Sequence, residues 1–149
     1  MDRAQFLDRF GGVYEASPWV AEACWPPPED LPAAMRAVVD AAPREKKLAL
    51  IRAHPELASR TKMAEASVKE QAGVGLDQCS PQEFEAFQRL NAAYNARFGF
   101  PFIFAVKGAT RADILTAFEA RLANDPETEF ATAIAQIHRI AGFRLADLL

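Results

Sequence analysis

The 149-residue chain reads as an all-α protein, a single-domain bundle of about seven or eight helices. Three observations predict this class. Helix start and stop signals recur from end to end, apolar residues between them return at spacings of three and four, and a single run, Phe102 to Val106, resembles a strand. A lone strand finds no ladder partner for its backbone N–H and C=O groups, so that run is read as a buried loop or a helix start.

The elements follow in order. Asp2 is placed to cap a first helix through Phe10, where Gly11-Gly12 offers a left-handed stop. Ser17-Pro18 opens another, with serine as cap and proline in the first helical position, where a missing N–H costs nothing. Pro26-Pro27-Pro28 must break it, because each proline removes a donor and disfavours helix in the residue before it. Leu31 to Val39 and Pro43 to Ala53 read as two further helices, the second ending where His54 meets Pro55. Ser80-Pro81-Gln82-Glu83 is a capping box, followed at helical spacing by Phe84, Phe87, Leu90, Tyr94 and Phe98. Thr110 caps a helix carrying Ile114, Leu115, Phe118 and Leu122, and Asp125-Pro126 opens a last one carrying Phe130, Ile134, Ile137 and Leu145. No repeat, low-complexity tract or linker interrupts this order, so residues 1–149 are expected to form one domain.

Composition narrows the function. Half of the residues are hydrophobic and 25% are charged, the balance of a globular protein. With a net charge of −3 and its Lys and Arg residues dispersed, the chain shows no footprint for nucleic acid. No apolar run approaches the roughly 20 residues that cross a bilayer, and no secretory signal opens the sequence, so a cytoplasmic protein without membrane contact is expected. Cys24 and Cys79 read as reduced thiols, and with only His54 and His138 and neither CxxC nor HExxH, no metal site is expected.

Three features exceed core-building. In His54-Pro55-Glu56-Leu57-Ala58 an imidazole sits at a helix end with a rigid proline beyond it, a placement that suits a general acid or base and equally suits a surface helix terminator. Ser67, Glu70 and Gln71 share one side of a helix at spacings of three and four, a set able to read N–H and C=O groups; Ser-x-x-Glu is also the capping-box pattern. The apolar run from Phe98 to Gly108 must be buried, and its backbone amides can line a pocket for a flat heterocycle besides building core. Arg144 offers a two-pronged clamp for a carboxylate and equally suits a solvated surface position. His138 is assigned to the surface, and Phe84 and Phe87 to the core.

Taken together, these segments resemble the 2-oxo-4-hydroxy-4-carboxy-5-ureidoimidazoline (OHCU) decarboxylase family over nearly the whole chain. Phe10-Gly11-Gly12-Val13-Tyr14-Glu15 with Ser17-Pro18-Trp19-Val20-Ala21 is similar to its N-terminal signature, and His54 to Ala58 to its catalytic histidine segment. Ser67 to Gln71, followed by Ala72 to Leu76, is similar to its substrate-binding helix, and Asn91 to Ile103 to its Asn…Tyr…Phe-Gly-Phe-Pro-Phe segment. The resemblance implies an all-helical homodimer with no cofactor, a small-molecule substrate, and His54 and Glu70 as the catalytic pair. It implies substrate binding by Pro55, Ser67, Glu70, Gln71, the backbone of Phe102, Ile103, Phe104, Ala105 and Val106, and Arg144. The implied reaction converts OHCU to (S)-allantoin and CO2 at the end of urate breakdown. Two other readings stay open: a decarboxylase or hydrolase of another ureido-heterocycle, and a non-catalytic helical interaction module.

Overall fold

The computed structural model describes residues 1–59 and 65–149, the side chain of Glu65 excepted. Among them are eight α-helices, one 3-10 turn at Leu76–Gln78 and no strand, so the all-α expectation holds. The helices are α1 Arg3–Phe10, α2 Trp19–Glu22, α3 Leu31–Asp40, α4 Arg44–Ala53, α5 Glu65–Gly73, α6 Pro81–Phe98, α7 Arg111–Leu122 and α8 Pro126–Leu148.

Local chemistry explains most of their ends. Asp2, Ser80 and Thr110 each form a complete capping box, with Gln5, Glu83 and Asp113 respectively, so that two of the orphan amides at each helix start are satisfied. Gly99, at φ 76°, gives α6 its left-handed stop. Two expectations fail in detail. Gly11 is right-handed, at φ −64°, and glycine is needed there for another reason: an added Cβ would collide with the Leu7 carbonyl oxygen. Pro18, not Ser17, is the N-cap of α2, because the Ser17 hydroxyl donates to the Glu15 carbonyl at 2.8 Å instead of receiving a helix amide.

The described chain divides into two compact units, Met1–His54 with Ile137–Leu149, and Pro55–Gln136. In the first, Phe6, Met35, Val39, Leu50 and Ile51 are buried, and the Phe6 ring meets Phe10 and Trp25 at 5.1 and 5.2 Å. His138 belongs to this interior rather than to the surface. It is 8% exposed, with Tyr14 Oη 2.8 Å from Nδ1 and Asp40 Oδ1 2.8 Å from Nε2, partners that the sequence gives no way to foresee.

In the second unit Phe87, Leu90, Tyr94, Ile114 and Phe118 build the core, and the Phe102 ring stacks on Phe118 at 3.9 Å. Phe84, expected inside, is only half-buried. The Phe102–Val106 run is a loop with Phe102, Ile103, Ala105 and Val106 buried and Phe104 half-buried. Two of its backbone groups avoid the usual burial cost, about 1–3 kcal/mol for each orphaned group, by borrowing partners from the helices. Arg121 Nη1 donates to the Ile103 carbonyl at 2.5 Å, and the Ala105 amide donates to Gln136 Oε1 at 2.9 Å. Arg121 is anchored in turn by Glu129, fully buried, whose carboxylate also accepts from Tyr94 Oη at 2.6 Å and Asn124 Nδ2 at 2.9 Å.

Candidate active site

The first unit carries His54 and Arg144; the second carries Pro55, Ser67, Glu70, Gln71 and the 102–106 segment. His54 caps the C-terminus of α4 in an extended conformation, φ −75° and ψ 141°, as a residue before proline must. It is 7% exposed, which removes the reading of a surface terminator. Its Nδ1 lies 2.9 Å from the Leu50 carbonyl. A carbonyl only accepts, so Nδ1 carries the proton, and Nε2 is the nitrogen at which the ring can gain or lose one.

Arg144, in α8, is also buried. Its Nη2 pairs with Glu15 Oε2 at 2.8 Å, and Nη1 donates to the Val13 carbonyl at 3.3 Å and more weakly to that of Gly12 at 3.4 Å. The ion pair is nearly as dry as the core, which ties Arg144 to the Gly12–Glu15 turn of the N-terminal signature.

On α5 the expected face is present. Ser67 and Gln71, one turn apart, are buried, Glu70 between them is half-buried, and Val68 and Lys69 point to solvent. The capping-box reading of Ser67 and Glu70 does not survive, because Glu65 is already helical and Ser67 lies inside α5. The Gln71 amide grips the segment that follows His54: Oε1 accepts from the Ala58 amide at 2.9 Å and Nε2 donates to the Glu56 carbonyl at 3.2 Å. The structure thus joins Gln71 to the Glu56–Ala58 stretch through hydrogen bonds, a link that helical spacing alone does not reveal.

Sequence reasoning missed three residues of α6 that bind the same segment, Gln88, Asn91 and Asn95. Their spacing of three and four places them on one helix face and is the signal that marks them. It missed Arg121 and Glu129 altogether. An open concavity in the first unit, lined by Phe6, Phe10, Pro27, Leu31 and Pro32 among others, contains none of the expected site residues. Among the described residues no group of three or more His, Cys, Asp or Glu converges as metal ligands would, and no helix is long and apolar enough to cross a membrane.

Comparison with known proteins gives this geometry its setting. A family model described as OHCU decarboxylase matches residues 1–146. The chain is 46% identical over 152 residues to the 2-oxo-4-hydroxy-4-carboxy-5-ureidoimidazoline decarboxylase of Haloferax volcanii, covering 99% of this chain and 90% of that one. It is 45% identical over 154 residues to the uric acid degradation bifunctional protein PucL of Bacillus subtilis, covering 100% of this chain and 31% of that protein. Among solved structures it is similar to an (S)-allantoin synthase, with a TM-score of 0.80 and 35% identity over 100% of this chain and 51% of that chain. The match spans every segment on which the sequence resemblance rested, and the chain belongs to the OHCU decarboxylase family.

Proposed function

We propose that this chain is a carboxy-lyase that converts OHCU to (S)-allantoin and CO2, the closing step of urate degradation, with residues 1–149 acting as one domain and without a cofactor. Whole-chain family membership carries the reading. The buried imidazole at the end of α4 supports it in chemical terms.

The substrate's own bonds supply the electron sink. The carbon that loses CO2 bears a hydroxyl and adjoins a ring C=N. When the C–CO2 bond breaks, its electron pair forms a new C=C bond and the former imine pair settles on the ring nitrogen, which takes up a proton. Loss of the hydroxyl proton then makes the carbonyl of the product, and a proton added to the neighbouring carbon, the former imine carbon, makes it the saturated stereocentre of allantoin. No electron leaves the molecule, so neither metal nor organic cofactor is required.

In this scheme His54 Nε2 is the atom that moves the proton, since Nδ1–H is committed to the Leu50 carbonyl. Glu70 orients or charges that imidazole, following the logic of paired titratable groups with separate tasks. Delivery to one face of the carbon yields one allantoin enantiomer. Pro55, Ser67 and Gln71 position the heterocycle. In the Phe102–Val106 loop the Ile103 carbonyl, the Ala105 amide and the Val106 carbonyl are already engaged by Arg121, Gln136 and the Ala109 amide, so recognition is assigned to the remaining backbone groups of the loop. Arg144, planted by Glu15, holds the carboxylate. A homodimer working in the cytoplasm completes the proposal, supported by the family resemblance and by two cysteines that are free in the structure.

The test is direct. Substrate generated in place from urate with urate oxidase and the preceding hydrolase is given to the protein after exhaustive chelation and dialysis, and allantoin is followed by circular dichroism. Rapid formation of a single enantiomer is expected. Formation at the uncatalysed rate would contradict the activity, and activity restored only by added metal or cofactor would contradict the mechanism.

A further inference from the structure

The segment after His54 is held in an unusual way. Ala58 adopts φ 55°, a left-handed conformation that is costly for a residue with a Cβ and free for glycine. Both of its backbone polar groups are bound by side-chain amides: its N–H donates to Gln71 Oε1 at 2.9 Å, and its carbonyl accepts from Gln88 Nε2 at 3.2 Å. The grip extends to its neighbours. The Leu57 carbonyl accepts from Asn91 Nδ2 at 3.0 Å, and the Glu56 carboxylate accepts from Asn95 Nδ2 at 2.8 Å. Gln88, Asn91 and Asn95 line one face of α6, and Gln71 reaches in from α5.

A buried turn needs its backbone satisfied, and ordinary packing accounts for some of this. Two features go further. The kink is placed on alanine, so the amides hold a conformation that the chain would otherwise tend to leave. Asn91 Oδ1 is buried with no hydrogen-bond partner among the described residues, a cost incurred on the same side chain that donates to Leu57. Side-chain amides also do not titrate, so the grip is indifferent to the proton traffic expected at a neighbouring histidine.

We propose that Gln88 and Asn91 are positioning residues for the decarboxylation. With Gln71 they hold the kink at Leu57-Ala58 and, through the rigid Pro55, the point from which the chain presents His54. The inference rests on the reading of His54 as proton carrier. It assigns to α6 a share in catalysis exerted through the loop, without contact with substrate.

The experiment uses Gln88→Met, which keeps the side-chain length and removes the donor to Ala58, measured alone and in a His54→Asn background. Folding is checked by thermal melts, and Gln88→Glu, nearly isosteric but unable to donate, replaces it if the methionine variant is not folded at assay temperature. Displacing a proton carrier impairs chemistry more than binding. The single variant should therefore lose about 10- to 100-fold in kcat with KM changed by less than about threefold. In the His54→Asn background the same substitution should cost almost nothing more, because residues acting as a unit are not additive. A folded single variant with wild-type kcat, or an equal loss in both backgrounds, would overturn the proposal. His54→Asn alone at wild-type turnover would instead sink the catalytic reading on which it rests, so the two failures are told apart.

Discussion

Arg121 donates to the Ile103 carbonyl at 2.5 Å while its guanidinium carbon lies 4.3 Å from the centre of the Phe102 ring. One side chain thus fixes both the backbone and an aromatic face of the buried loop. The loop can dispense with a strand partner because the cation that serves it is neutralised by Glu129.

Removing that cation should be severe. Arg121→Met would leave Glu129 buried without its counter-charge and the Ile103 carbonyl without its donor, and a broken buried pair typically costs about 3–5 kcal/mol. Urea unfolding measures it, and a loss of less than about 1 kcal/mol would show that the pair is not the anchor of the loop.

Ala58 should behave in the opposite sense. Ala58→Gly removes the steric cost of φ 55° at the expense of a more flexible unfolded chain. The balance favours the variant by up to about 1 kcal/mol, since the left-handed penalty is about 1–2 kcal/mol and the entropic one smaller. A higher melting temperature is expected; a lower one would contradict the steric cost assigned to Ala58, since the amides bind backbone groups that glycine also carries.

Acid should loosen the structure through particular carboxylates. The Glu83 carboxyl is held below its ordinary value, first by the Ser80 backbone amide and then by Arg111, and Asp125 is held low by the Thr128 amide and hydroxyl. A folded pKa below the unfolded one means that the unfolded chain binds more protons in the window between them. The stabilisation is therefore complete above the unfolded pKa and is lost as pH falls through the folded one. Glu83→Gln, which can still fill the capping position, should show a shallower loss of melting temperature on acidification than wild type. Identical acid limbs would contradict this account.

What the sequence reveals and what it hides divide along a physical line. The caps at Asp2, Ser80 and Thr110 and the stop before Pro55 depend on partners within a few residues, so the sequence displays them. The burial of His138 depends on Tyr14 and Asp40, 124 and 98 residues away, and the role of Arg121 on Ile103 and Tyr94, so no local pattern announces either. The left-handed kink at Ala58 is invisible for another reason: alanine carries none of the signals by which glycine or asparagine marks such a position. The candidate site shows the same division. His54-Pro55 and the Ser67, Glu70, Gln71 face are legible as motifs, whereas the α6 amides that grip the loop appear only when the fold brings them to it.

Glu70 is a clean target for mutation. It lies inside α5 and not in its capping position, so Glu70→Gln should leave the helix start intact. A drop in turnover of the order of 10²-fold or more, with a melt near that of wild type, is the expected outcome for a residue that serves the proton carrier. Undiminished turnover would remove Glu70 from the mechanism. The double variant with His54→Asn should be little worse than either single one.

The most direct measurement of the central claim is the initial rate of (S)-allantoin formation by His54→Asn, followed by circular dichroism. Asparagine can still donate toward the Leu50 carbonyl, as Nδ1 does at 2.9 Å, and lacks only the nitrogen that would move the proton. A folded variant slowed by about 10²–10⁴-fold is the predicted result, the usual worth of a positioned general acid or base. A folded variant that forms (S)-allantoin at the wild-type rate would contradict the account.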